Sequence, residues 1–69
     1  MNWDTLTPDL IALAKRTLTA DEFSVWLTKY VAGKGRRSGS LTLGITEDAW
    51  RYRLHQADRK MNIATKEAA

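Results

Sequence analysis

The apolar residues at the start of the chain recur every three or four positions, which is the spacing of one face of an α-helix. The residues on this face are Leu6, Leu10, Leu13, Ala14 and Thr17. Thr7 is a suitable N-cap, and Pro8 has no N–H to lose in the first turn. We therefore expect a packing helix that begins at Pro8 and ends near Leu18.

A second helix is predicted from Thr19 onwards, because Thr19 and Glu22 have the spacing of a capping box. In that arrangement each side chain accepts a hydrogen bond from the other residue's backbone N–H. The apolar face that follows consists of Phe23, Trp26, Leu27 and Tyr30, with Val31 at its margin. Gly33 and Gly35 are expected to end this helix.

The segment from Gly33 to Ser40 contains glycine, serine and three basic residues, and no apolar residue. We expect a short helix from about Arg37 to Leu43, although an interior glycine costs roughly 1 kcal/mol relative to alanine. A mobile basic loop is the alternative. A strand at residues 41–43 is too short and has no partner strand.

The most regular pattern runs from Glu47 to about Met61. Its apolar face carries Trp50, Leu54, Ala57 and Met61, and its polar face carries Asp48, Tyr52, His55 and Arg59, flanked by Arg51. Residues 62–69 are expected to be a fraying helical extension or a disordered tail. The predicted fold class is all-α: four to five short helices forming one compact domain over residues 1–69.

The length and amino-acid composition exclude several classes of protein. A chain of 69 residues builds one small domain, and the absence of cysteine excludes disulfides, thiolate metal sites and cysteine nucleophiles. The first residues lack a basic region, and the apolar stretch that follows is too short for a signal peptide or a membrane span. We expect a soluble cytoplasmic protein without a membrane partner.

Catalytic patterns are missing from the sequence. It has no phosphate-binding loop at the proper spacing, no nucleophile elbow and no helix with two histidines. His55 is the only histidine and has no carboxylate or cysteine at ligand spacing. We therefore expect no enzyme, no cofactor and no metal site.

The net charge of +3 is unevenly distributed. Residues 1–33 carry three basic and four acidic side chains, whereas residues 34–69 carry eight basic and four acidic ones. This asymmetry favours an anionic partner for the second half, with nucleic acid ahead of a membrane surface.

Residues 40–54 have the pattern of a helix-turn-helix, which we place at about residues 37–61. Ser40 is small where two helices approach closely, and Gly44 is suited to the left-handed turn. Ile45 fills the angle between the helices, Thr46 is the N-cap of the second helix, and Trp50 buries its underside. Such a second helix fits a major groove about 12 Å wide.

Residues 43–61, LGITEDAWRYRLHQADRKM, resemble the DNA-binding part of sigma-factor region 4 and of LuxR-type regulators. Residues 18–26, LTADEFSVW, are similar to the opening of the same domains. The resemblance covers residues 18–61, roughly two-thirds of the chain. It implies a compact helical domain whose last helix reads the major groove with Glu47, Asp48, Arg51, Tyr52 and His55.

Two positions differ from the family pattern. Gly39 stands where an aliphatic residue is usual, and Trp50 stands where Val or Ile is usual. We expect a repacked core at this point. Because no other sigma-factor region is present, the chain resembles the module alone, as a small phage or bacterial regulator would carry it.

The predicted DNA-contacting residues form two groups. Lys34, Arg36, Arg37, Ser38 and Ser40 are expected to contact phosphates, and a solvated basic loop is the alternative. On the last helix, the expected contacts come from Thr46, Glu47, Asp48, Arg51, Tyr52, His55 and Arg59.

The roles on this helix differ. Arg51 and Tyr52 are suited to base edges, and an ordinary charged face is the alternative. Glu47 and Asp48 are better assigned to helix capping, since they repel phosphate unless one accepts from a cytosine amine. His55 is expected near the DNA backbone.

The predicted function is sequence-specific binding of double-stranded DNA in transcriptional regulation, with the helix at 46–61 in the major groove. The alternative is a sigma-region mimic that binds RNA polymerase or another regulator through its helices, with DNA contact secondary or absent. Val25 and Trp3 are the apolar residues that such an interaction would use. One such module buries roughly 600–1,000 Å² on DNA, so a homodimer or a partner protein would be useful.

Overall fold

The computed structural model describes residues 7–68, apart from the side chains of the last two. The described range contains four helices, with bounds α1 Pro8–Thr17, α2 Ala20–Tyr30, α3 Arg36–Leu43 and α4 Glu47–Ala68. The predicted all-α class is confirmed, and no strand occurs among these residues. Trp3 and Leu6, to which the sequence assigned roles, lie outside the described residues.

Threonine hydroxyls cap three of the helices, as the sequence predicted. The Oγ1 atom of Thr7 accepts the backbone N–H three residues on at 3.2 Å, and that of Thr46 does the same at 3.1 Å. At α2 the capping box is complete: Thr19 Oγ1 accepts the Glu22 N–H at 3.3 Å, and Glu22 Oε1 accepts the Thr19 N–H at 3.0 Å. These hydroxyls fix where the helices begin.

Helices α2 and α4 form the centre of the fold, because each of them contacts the other three helices. The main core cluster consists of Ala14, Leu18, Trp26, Ala57 and Met61, with half-buried apolar residues around it. Val25 is also fully buried, although it lies off the predicted stripe of α2. The interpretation of Val25 as an exposed docking residue is therefore wrong.

Helix α4 continues well beyond the predicted end at Met61. Its 22 residues span about 33 Å at 1.5 Å per residue, which is close to the 34 Å long axis of the molecule. Residues 62–68 are thus a helical extension rather than a disordered tail. They contain neither glycine nor proline, so no local signal ends the helix.

Helices α3 and α4 meet where Trp50 packs against Gly39. A Cβ atom at position 39 would lie 2.5 Å from Trp50 Nε1 and 2.8 Å from Cε2, which is too close for any side chain. The indole is held in place because its Nε1 donates to Thr28 Oγ1 at 3.2 Å. The two residues therefore depend on each other: the large Trp50 requires Gly39.

The pair gives a prediction for stability. Gly39→Ala should lower the free energy of unfolding by about 1–3 kcal/mol, because the added methyl must displace a buried indole. In a Trp50→Phe background, where the ring is smaller, the same change should cost clearly less. Urea unfolding of the four proteins in this double-mutant cycle measures the coupling. Additive effects of the two substitutions would contradict the contact.

An ion pair joins the start of α2 to the second half of α4. Lys60 Nζ lies 2.7 and 2.9 Å from the two carboxylate oxygens of Glu22, whose side chain is 12% exposed. Burial by itself raises the pKa of Glu22. The hydrogen bonds from Lys60 and Thr19 and the positive charge of Lys60 outweigh it, so the pKa lies below the ordinary value of 4.5.

This shift predicts a pH dependence. Because the folded pKa of Glu22 is lowered, its stabilisation is complete above pH 4.5 and is lost as the pH falls through the folded pKa. Glu22→Gln keeps a capping-box side chain, yet it should lower the free energy of unfolding at neutral pH by about 1–2 kcal/mol. The difference from the wild type should shrink in acid.

Unfolding measured from about pH 7 to pH 2 tests this, with Asp21→Asn as the control. Asp21 is an exposed acidic residue in the same helical turn. A deficit of Glu22→Gln that stays constant down to the lowest pH would rule out the ion pair as its cause.

Candidate functional site

The turn between α3 and α4 contains the left-handed glycine that the sequence pattern predicted. Gly44 ends α3 in the left-handed region, with φ +68°, where a glycine has no Cβ to clash. The N–H of Ile45 then donates to the Ser40 carbonyl at 3.0 Å, and Ile45 is half-buried. This short turn fixes the direction in which α4 leaves α3.

Four basic side chains from three helices surround an open groove beside Trp50. We call it the basic groove; its volume is about 620 Å³, and it is lined by Lys29, Arg36, Arg37, Glu47, Trp50 and Arg51. Lys29 belongs to α2, the arginines at 36 and 37 begin α3, and the rest belong to α4. The groove thus concentrates positive charge where α2, α3 and α4 converge.

A second groove adjoins the first along α4. This α4 groove, of about 350 Å³, is lined by Asp48, Arg51, Tyr52 and His55. All four residues were predicted to contact DNA, and Arg51 lines both grooves. Tyr52 is 66% exposed, so its ring and hydroxyl are open to a partner. Arg59 lies one turn beyond His55 and is exposed on the same helix.

Glu47 carries out a task that the sequence did not predict. Its Oε1 accepts from Arg36 Nε at 3.1 Å, which links the first residue of α4 to the first residue of α3. The two side chains are 50% and 54% exposed. Exposed ion pairs of this kind contribute at most about 1 kcal/mol to stability. Arg36 can therefore leave Glu47 for another anion at little cost in free energy.

The predicted phosphate-contacting segment is only partly available. Arg37 and Ser38 are exposed, and Lys34 is half-buried with its ammonium 3.0 Å from Thr42 Oγ1. Ser40 is 2% exposed and donates to the Arg37 carbonyl at 2.9 Å. The expectation that Ser40 contacts phosphate is therefore wrong, because the packing of α3 buries it.

Two residues of the basic groove were not predicted as part of the site. Lys29 lines the groove from α2, and Trp50 lines it in addition to packing in the core. The buried Thr28, which precedes Lys29, is hydrogen-bonded to Trp50 and brings this turn of α2 close to the groove. No local sequence pattern carries that information.

Near the end of α2, Tyr30 links to the middle of α4. Its hydroxyl donates to Asp58 Oδ1 at 2.8 Å. Burial raises the pKa of Asp58, and the hydrogen bond from Tyr30 and the charges of His55 and Lys29 oppose this rise. Burial and the Asp58 carboxylate together raise the pKa of Tyr30, so the phenol stays protonated at neutral pH.

Comparison with protein-family models, with curated proteins and with solved structures finds no match for this chain. Within the described part of the chain, none of the helices is both long and apolar enough to cross a membrane. Among the same residues, no group of three or more acidic or histidine side chains is placed to hold a metal ion.

The exposed Arg36–Glu47 pair leads to a further prediction. Glu47→Gln should change the free energy of unfolding by less than about 1 kcal/mol, because it removes one exposed ion pair and one favourable helix-dipole charge. Chemical denaturation monitored by circular dichroism measures this change. A loss of several kcal/mol would show that the pair is a structural support instead.

Proposed function

We propose that this protein binds double-stranded DNA through a helix-turn-helix of the sigma-factor region 4 and LuxR type, with α4 in the major groove. The observation that carries the proposal is the α4 groove. Four residues singled out from the sequence as DNA contacts, Asp48, Arg51, Tyr52 and His55, line one continuous surface next to a second, basic surface.

The diameter of an α-helix is compatible with binding of α4 in the major groove. A helix with side chains is about 10–12 Å across, and the major groove is about 12 Å wide. The exposed face of α4 begins immediately after the turn at Gly44, so its first three turns are the part that a groove would receive. The opposite face is anchored in the core through Trp50, Ala57 and Met61.

The basic side chains on this surface are suited to two roles, contact with backbone phosphates and contact with bases. Arg36 and Arg37 lie at the start of α3, beside the groove-facing helix, where phosphates of the duplex backbone would pass. Arg51 projects from α4 between both grooves and is suited to a bidentate contact with guanine. Tyr52 supplies a hydrogen bond or a contact with a thymine methyl group.

The alternative, a sigma-region mimic that docks on RNA polymerase or another regulator, rested on Val25 and Trp3. Val25 is fully buried in the described structure, so it offers no docking surface. The proposal of a transcriptional regulator in a bacterial or phage setting rests on the resemblance of residues 18–61 together with the two grooves.

Titration with random and selected duplexes at about 50 and 200 mM salt tests the proposal. Arg37→Ala should weaken binding to all sequences alike, whereas Arg51→Ala should cost about 1–3 kcal/mol and reduce discrimination at particular base pairs. Lys15→Ala is the matched control, since Lys15 is exposed on α1 and lines neither groove.

The proposal fails if the wild type shows no salt-sensitive binding to any duplex. It also fails if Arg37→Ala and Arg51→Ala bind as tightly as Lys15→Ala. Sedimentation of the complex, measured alongside, gives the number of protein copies per duplex.

A further inference from the structure

We infer that the basic groove is a binding site for one phosphate group of the DNA backbone, and that the Glu47 carboxylate occupies it in the free protein and must leave when phosphate enters. Lys29 is assigned here as a phosphate-binding residue. The inference rests on the proposed function, and it adds both a contact from α2 and a built-in competitor.

Positive charge is concentrated in the basic groove. Lys29, Arg36, Arg37 and Arg51 come from three different helices and line the same groove. Lys29, Arg37 and Arg51 form no salt bridge within the described part of the chain. Clustering like charges without counter-ions is unfavourable, so such a site attracts an anion.

Glu47 is placed to compete with a phosphate group. Its carboxylate is the one acidic group that lines the basic groove, and it holds Arg36 at 3.1 Å. A carboxylate in contact with a guanidinium has the same hydrogen-bonding chemistry as a phosphate oxygen. The free protein therefore carries its own anion at the place where phosphate is expected, and each must exclude the other because their charges repel.

Lys29 also has a neighbour that affects its role. It lies close enough to Asp58 for its charge to lower the pKa of that carboxyl group, which is itself hydrogen-bonded by Tyr30. Lys29 makes no salt bridge with Asp58, and it remains exposed. Its ammonium thus stays available to a phosphate between α2 and α4.

The groove should therefore have a low affinity for a free anion. It should also disfavour phosphate contacts that are not accompanied by base contacts. A duplex seated on α4 would bring a phosphate to the groove together with base contacts, and the two together would displace Glu47. Removing the carboxylate should therefore strengthen binding most for random sequences, where base contacts contribute least.

Two pairs of variants test the inference in the full-length protein with random-sequence duplex. Glu47→Gln should tighten binding roughly threefold to tenfold at about 50 mM salt, and Asp21→Asn, which removes the same charge from an exposed residue that lines neither groove, should change it less. Lys29→Gln should weaken binding and reduce the slope of log K against log salt by about 0.9, whereas Lys15→Gln should leave the slope unchanged.

If the wild type binds duplex but Lys29→Gln matches Lys15→Gln, or Glu47→Gln matches Asp21→Asn, the inference is overturned while the proposed function stands. If the wild type binds no duplex, titration with inorganic phosphate still tests whether the basic groove binds phosphate. The indole N–H signal of Trp50 in a ¹H–¹⁵N spectrum should shift with phosphate, and Lys29→Gln should suppress the shift. No shift in either the wild type or Glu47→Gln, which lacks the competing carboxylate, overturns the site.

Discussion

The packing of Trp50 against Gly39 determines how α3 and α4 cross, and the candidate site depends on that crossing. The indole is 3% exposed, touches the backbone of α3 at a position where only glycine fits, and donates to Thr28 on α2. One side chain therefore fixes three helices relative to one another. A buried aromatic ring also contributes a large apolar area to a small core.

The same residue connects the core to the surface. Trp50 also lines the basic groove, so the position of Lys29, Arg37 and Arg51 around that groove follows from the packing beneath them. Farther along α4, the Glu22–Lys60 pair and the Tyr30–Asp58 hydrogen bond tie the helix to α2. With its inner face held in this way, α4 keeps its outer face exposed.

Local signals in the sequence predicted the helices well, because caps and apolar spacing act within one turn. The hydroxyls of Thr7, Thr19 and Thr46 and the left-handed Gly44 all have the predicted roles. The end of α4 was less predictable, since the residues after Met61 have low apolar content but also no helix-ending residue.

Contacts between residues far apart in the chain could not be read from spacing. Val25 lies off the stripe of α2 yet is buried, and Ser40 is covered by neighbouring helices. Lys29 joins the site only because α2 packs against α3 and α4. The reason for glycine at position 39 likewise depends on Trp50, which is eleven positions away in the sequence.

In the proposed function, the outer face of α4 and the adjoining basic groove form one duplex-binding surface. Amide chemical-shift mapping of the ¹⁵N-labelled protein with a DNA duplex tests this most directly. We expect shifts concentrated at Arg36, Arg37 and the exposed face of α4 from Asp48 to His55, with α1 unaffected. Shifts confined to α1, or no shifts on adding duplex at low salt, would contradict it.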